Sequence, residues 1–94
     1  MDSNSYLQSA PGIDVQEVID GFIVYHPARD RVHFMTRTAA FILQCCDGTV
    51  YVGELPALVA IVFDLDSPPT EDVEACIKTL ITEGLLLERI EPLT

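Results

Sequence analysis

Two histidines, three cysteines and a few loop carboxylates and hydroxyls are the residues of this chain that could carry chemistry. His26 and His33 fall in neighbouring extended segments and could form an acid–base or metal pair. A bound metal needs further ligands, and none is spaced to join them. Cys45 and Cys46 are adjacent, a spacing that rarely closes a bridge. With Cys76 the count is odd, which fits no closed disulfide framework. There is no C-x-x-C, so the thiols read as reduced and mostly buried, as in a cytosolic chain, with no metal site. Asp64 and Asp66 flank Leu65, but Pro68 and Pro69 stand where an EF-hand loop needs more ligands. Ser3, Ser5, Ser9 and Ser67 lie in the polar lead or a loop, and none sits in a G-x-S-x-G elbow. The five glycines are scattered at turns and build no phosphate cradle. No catalytic constellation emerges, and neither an enzyme nor a cofactor is expected.

The elements that would position a site must come from 94 residues, enough for one domain. Nearly half the chain is hydrophobic (49%), which excludes a disordered tail. No apolar run reaches the ~18 residues of a membrane span. Fifteen acids against five bases give a formal charge of −10, which repels nucleic acid. The start, MDSNSYLQSAPG, has no basic n-region and no apolar core, so it is not a secretory signal. Residues 1–12 read as a mobile arm ending in Pro11-Gly12. Residues 13–90 read as the folded domain and 91–94 as a tail.

Three extended segments follow the arm. IDVQEVI suits a partly buried strand. Asp20-Gly21 signals a hairpin whose two central residues take positive φ. FIVYH is rich in β-branched and aromatic residues, Pro27-Ala28-Arg29-Asp30 marks a second turn, and RVHFM resumes strand character. Residues 13–35 are therefore expected to form a three-stranded antiparallel meander. At Thr36 the period becomes helical, with Thr36 or Thr38 as cap and Asp47-Gly48 as stop. A second helix is expected over about 52–63, with Leu55, Leu58, Val59 and Val62 inward and Pro56 in its first turn. Thr70 caps a third over 71–83, with Glu71, Asp72 and Glu74 favouring its N-terminal dipole. Val73, Ile77, Leu80 and Gly84 make its inner face, and LLLERI continues as a closing strand or an extended tail. Strands segregated from helices imply an α+β fold.

One binding feature remains. The last meander strand, 31–35, has a neighbour on one side only. Native edges are blunted by Pro, Lys or bulges, and Arg31, Val32, His33, Phe34 and Met35 include none of these. An extended peptide could add there as a strand. Alternatively the arm 1–12, the tail 85–94 or a second copy covers that edge. Phe34 is better placed than Val32 to reach a ligand pocket, since an exposed edge aromatic is costly without a use. Strand parity is left open at this point.

The order and spacing of three pieces resemble one family. They are DGFIVYHPARDRVHFMTRTAAFILQCCDGT over residues 20–49, GEL…FDL over 53–65, and VEACIKTLITEGLL over 73–86. Together they resemble the PqqD family of peptide chaperones, also called RiPP recognition elements, across roughly residues 13–88. The resemblance implies a winged helix-turn-helix-like fold of three strands followed by three helices, without catalytic activity. It implies a domain that binds the leader of a ribosomally made precursor peptide and presents the core to a modifying enzyme, often a radical SAM enzyme. The leader would lie as an added strand along Arg31–Met35, facing the flank of the third helix. Val73, Cys76, Ile77 and Leu80 are the expected helix wall of that cleft. Family members commonly read Leu-Asn before the first helix, where this chain has Met35-Thr36. Met is a more flexible apolar filler and Thr a slightly weaker cap.

Three rival readings stand beside this one. A winged-helix DNA binder would place its third helix against phosphates, and here that helix carries Glu71, Asp72, Glu74 and Glu83 against Lys78. An acyl carrier is suggested by Asp66-Ser67, but Pro68-Pro69 and the leading strands oppose it. An oligomerising adaptor would pair its edge strand with its own copy, and a monomer or weak dimer is expected otherwise. Partners are thus a precursor peptide and its modifying enzyme, without nucleic acid or membrane.

Overall fold

The computed structural model describes residues 4–91. Strands β1 (Tyr6–Ser9), β2 (Asp14–Val18), β3 (Gly21–His26) and β4 (Arg31–Met35) precede helix α1 (Arg37–Cys45). Then come β5 (Asp47–Tyr51), α2 (Leu55–Val62), α3 (Thr70–Thr82) and β6 (Leu86–Arg89). Among the described residues the fold is α+β, with two three-stranded antiparallel sheets, β2-β3-β4 and β5-β1-β6, and three α-helices.

The β2-β3-β4 meander stands where the alternating pattern put it. Its first turn is shifted by one residue, however. Val18 pairs with Gly21, so the two-residue loop is Ile19-Asp20 rather than Asp20-Gly21. Neither loop residue takes positive φ. Gly21 is already in β3, where a Cβ would collide with the Met35 carbonyl. The glycine therefore serves close packing of β3 on β4 rather than a left-handed turn.

The lead is not a mobile arm. Tyr6–Ser9 is the central strand of the second sheet, paired with β5 on one side and β6 on the other. Leu7 is fully buried. The Ser9 hydroxyl shares its one proton between the carbonyls of Leu43 (2.9 Å) and Cys46 (2.8 Å), at the C-terminal end of α1. The Leu43 carbonyl also accepts the Cys46 N–H at 3.3 Å, and the Cys46 carbonyl also accepts the Ser9 N–H at 2.8 Å, so β1 is tied to the end of α1 by backbone and side chain together. The domain therefore begins before residue 13; residues 1–3 of the expected arm and 92–94 of the expected tail lie outside the described residues.

The helices follow their local signals with two exceptions. Thr36 caps α1, its Oγ1 accepting the Ala39 N–H at 3.2 Å. Pro56 sits in the first turn of α2, where its missing N–H costs nothing. The expected start of that helix, Val52–Glu54, is a separate 3-10 turn. Thr70 does not cap α3: the helix includes it, Pro69 holds the cap position, and no side chain bonds there. Gly84 follows α3 with φ +76°, and its N–H donates to the Ile81 carbonyl at 3.0 Å. The core lies between the helices and the sheets, with Leu7, Val24, Ile42, Leu43, Leu55, Ile77, Leu85 and Leu86 sealed from solvent.

Candidate functional site

Among the described residues β4 pairs with β3 alone. Of the two segments weighed against an open edge, Tyr6–Ser9 of the lead and Leu86–Arg89 of the tail pair with each other in the second sheet. The register also fixes parity. His33 lies opposite buried Val24, and Met35 opposite Phe22. Arg31, His33 and Met35 therefore project to the helix side, while Val32 and Phe34 project to the outer face with Ile23 and Tyr25. That outer face is exposed, with Val32 and Phe34 each 66% accessible.

A groove of about 340 Å³ runs between β4 and α3. Its strand side is His33, Phe34 and Met35, continuing through Thr36 to Ala39 at the start of α1. Its helix side is Cys76, Thr79, Leu80 and Glu83, with Leu85 beyond. Most of this lining is apolar or small, with polar groups concentrated at the C-terminal end of α3. There the Glu83 carboxylate lies 3.4 Å from the Arg31 guanidinium and 3.9 Å from His33 Nδ1. His33 Nε2 is buried without a hydrogen-bond partner among the described residues.

The second histidine plays a different part. His26 is buried on β3, and its Nε2–H donates to the Gly84 carbonyl at 3.1 Å. Gly84 also leaves room for the Arg29 guanidinium, which a Cβ there would meet at 2.5 Å. These contacts hold the β3-β4 connection against the end of α3 and fix one end of the groove. The two histidines thus meet different partners, His26 the Gly84 carbonyl and His33 the Glu83 carboxylate. No group of three or more His, Cys, Asp or Glu is placed to hold a metal among the described residues.

The thiols are not activated. Burial pushes Cys46 up to about 12, with Cys45, Asp47 and Cys76 adding to the rise. Burial, then Asp47, raises Cys45, and burial raises Cys76. A thiol held protonated is a poor nucleophile. No described helix is long and apolar enough to cross a membrane.

Seven of the nine expected site residues are placed on the edge strand or in the groove wall, but with unequal roles. His33, Phe34, Met35, Cys76 and Leu80 line the groove. Met35 and Leu80 are nearly closed to solvent and serve as its floor. Phe34 borders the groove, yet its ring leans across the outer face: Cζ would stand 3.3 Å from a Cβ on Gly21. Arg31 reaches the groove only through its pair with Glu83, and Val32 faces outward. Val73 is buried and touches a neighbouring hollow instead. Ile77 is corrected outright: it is sealed in the core and lines neither hollow.

Sequence reasoning missed Thr36, Ala39, Thr79, Glu83 and Leu85. The signal for the helix flank was present. Cys76, Thr79, Leu80 and Glu83 recur at i, i+3, i+4 and i+7, a second stripe beside the core stripe. The expected wall was centred on Ile77, one residue too far into the core.

A family model described as coenzyme PQQ synthesis protein D (PqqD) matches residues 21–86. No curated protein and no solved structure matches the chain.

Proposed function

The chain belongs to the PqqD family, non-catalytic domains that bind precursor peptides and work with peptide-modifying enzymes, and from that premise we propose that it takes the leader of a ribosomal precursor as an added strand on β4. The observation that carries this reading is the unpaired side of Arg31–Met35 with a largely apolar groove beside it. Backbone groups along a free edge supply affinity to any extended segment, and the pockets beside them supply selection. The bound leader holds the core peptide near the modifying enzyme, a radical SAM enzyme in this proposal. Capture then becomes a nearly intramolecular encounter at raised effective concentration. With a charge of −10, the domain favours a basic enzyme face, and this steering weakens with salt.

Pairing of β4 with a second copy is the rival. It would bring two chains of −10 together, which opposes association at low salt. Amide exchange of the full chain tests the proposal, with and without a candidate leader peptide taken from a short reading frame neighbouring its own. Edge amides within Val32–Met35 exchange quickly in the free monomer and slow on leader binding. Slow exchange already in the free monomer, unaltered by leader, overturns it. Sedimentation in the same buffers detects a self-paired dimer.

A further inference from the structure

A second hollow, of about 320 Å³, adjoins the groove at β4, and the two share Thr36, Ala39 and Cys76. Its apolar walls are Val59 from α2, Leu65 and Pro69 from the loop before α3, and Val73 from α3. Val59 and Val73 belong to the core, whereas Leu65 stands 45% exposed at the rim. The loop is built to keep Leu65 there. Asp64 takes φ +55°, in the left-handed region, and the Leu65 N–H donates to the Ala60 carbonyl at 2.9 Å. Pro68 and Pro69 limit the remaining backbone freedom.

Charge separates the two hollows. In the first, Glu83 is already opposed by Arg31. In the second, Asp72 is the only carboxylate in the lining and has no ion pair among the described residues. Among the described residues no Lys or Arg lines either hollow.

We propose that the second hollow is a further subsite for the same peptide, taking an apolar side chain two residues along from the one in the first groove, with a Lys or Arg beside it for Asp72. The proposal rests on the β4 reading above. The spacing supports it. The first groove centres on Cys76–Leu80 and the second on Val73–Cys76, about one helical turn or ~5 Å apart along α3. Side chains i and i+2 of an extended peptide leave the same face ~6.6 Å apart. One extended segment therefore serves both hollows, and the ligand class is an apolar–any–apolar peptide with a neighbouring cation. Asp72 selects the cation because it is the carboxylate in this lining and has no ion pair among the described residues.

Selection of a displayed library of random 12-residue peptides on the intact chain tests this without a known leader. Enriched peptides carry apolar residues at i and i+2 with Lys or Arg adjacent to one of them. Leu65→Asp lowers the affinity of a selected peptide at least tenfold and erases the preference at one apolar position only. Asp72→Asn, an isosteric change at an exposed site, removes the Lys/Arg preference and costs a few-fold in affinity. Thr79→Trp, on the exposed helix surface, fills the first groove and abolishes binding. If Leu65→Asp and Asp72→Asn leave affinity and selection unchanged while Thr79→Trp abolishes binding, the second subsite is refuted and the β4 reading stands. If nothing is enriched, or Thr79→Trp has no effect, the β4 reading fails and takes the second subsite with it.

Discussion

The two sheets of this domain are the same size and opposite in construction. The β2-β3-β4 sheet is a local meander, each strand paired with its neighbour in sequence. The β5-β1-β6 sheet gathers segments from the start, middle and end of the chain. Its central strand, β1, is closed on both sides, and β1 also bonds the end of α1 through Ser9. The meander leaves β4 free along the groove. One sheet pairs β1 with β6, and among the described residues that pairing leaves β4 of the other sheet with a neighbour on one side only. A lead folded over β4, as an arm might have been, would have left nothing for a ligand to pair with.

The largest test of this division falls on β1. Leu7→Ala removes a fully buried side chain from the strand that joins β5 to β6. The expected loss is about 2–5 kcal/mol in urea unfolding. A loss below ~1 kcal/mol would return the lead to the status of a dispensable arm.

Why the meander was legible and the other sheet was not follows from the same contrast. FIVYH and RVHFM carry β-branched and aromatic residues in runs long enough to declare strands, and turns of a few residues join them. NSYLQS offers Leu7 and Tyr6 among polar residues, so its strand character exists only through partners 39 or more residues away, such as Asp47 for Gln8 and Glu88 for Leu7. Asp47-Gly48 reads as a helix stop, which masks the strand β5 that begins at the same residue. The site was legible in halves. The open edge follows from strand order and from the absence of Pro and Lys. Its side-chain parity needed the register, and the helix flank needed the distinction between the Ile77 stripe and the Cys76 stripe.

A second test compares thiols under the two regions. Cys46 sits in the core beside the β1 contacts, while Cys76 is half-buried at the junction of the two hollows. Cys46 titrates near 9 when unfolded and is pushed up to about 12 in the fold. The unfolded chain therefore loses its proton first. The Cys46 contribution to stability is intact below pH 9 and is lost as pH rises from 9 toward 12, by up to about 1.4 kcal/mol per unit. Urea midpoints taken at pH 8 and pH 10 check the sign. At pH 8 iodoacetamide leaves Cys46 unmodified and reacts slowly with Cys76, and bound peptide slows Cys76 further. Equal labelling of both thiols would mean the core beneath β1 opens as readily as the groove.

The third test sets the two edges of the meander against each other. β2 carries Asp14, Gln16 and Glu17, and the hollow beside it, about 220 Å³, is bounded by Glu17, Arg37 and Gln44 around aromatic rings. Inward charge is a known defence of an edge against strand addition. On β4 the one Arg, Arg31, stands at the start of the strand and is paired with Glu83, which leaves Val32–Met35 without Lys, Arg, Asp or Glu. Proline at Val32 and proline at His33, made separately, divide the strand: one removes a ladder N–H toward β3, the other an N–H on the free side. The variant that keeps its thermal midpoint is the free-side one, and it binds leader at least tenfold more weakly, about 1.4 kcal/mol. Proline at Gln16, on the opposite edge, leaves leader affinity unchanged. Equal losses from prolines on both edges would erase the distinction.

The smallest effect is expected at Phe34, and its size discriminates between two placements of one ring. Residue type alone makes this aromatic the natural anchor of a ligand pocket. The register instead turns it to the outer face, where its ring leans over Gly21 and remains 66% exposed. A ring in that position leaves the groove side of β4 to His33 and Met35. Phe34→Asp then weakens leader binding only two- to threefold, under ~1 kcal/mol, through the added negative charge near the edge. Far-UV circular dichroism stays native because no core contact is lost. A loss of tenfold or more with a native spectrum would put the ring in the groove when peptide is bound. β4 would then read its ligand with both of its faces rather than with its edge and helix side alone.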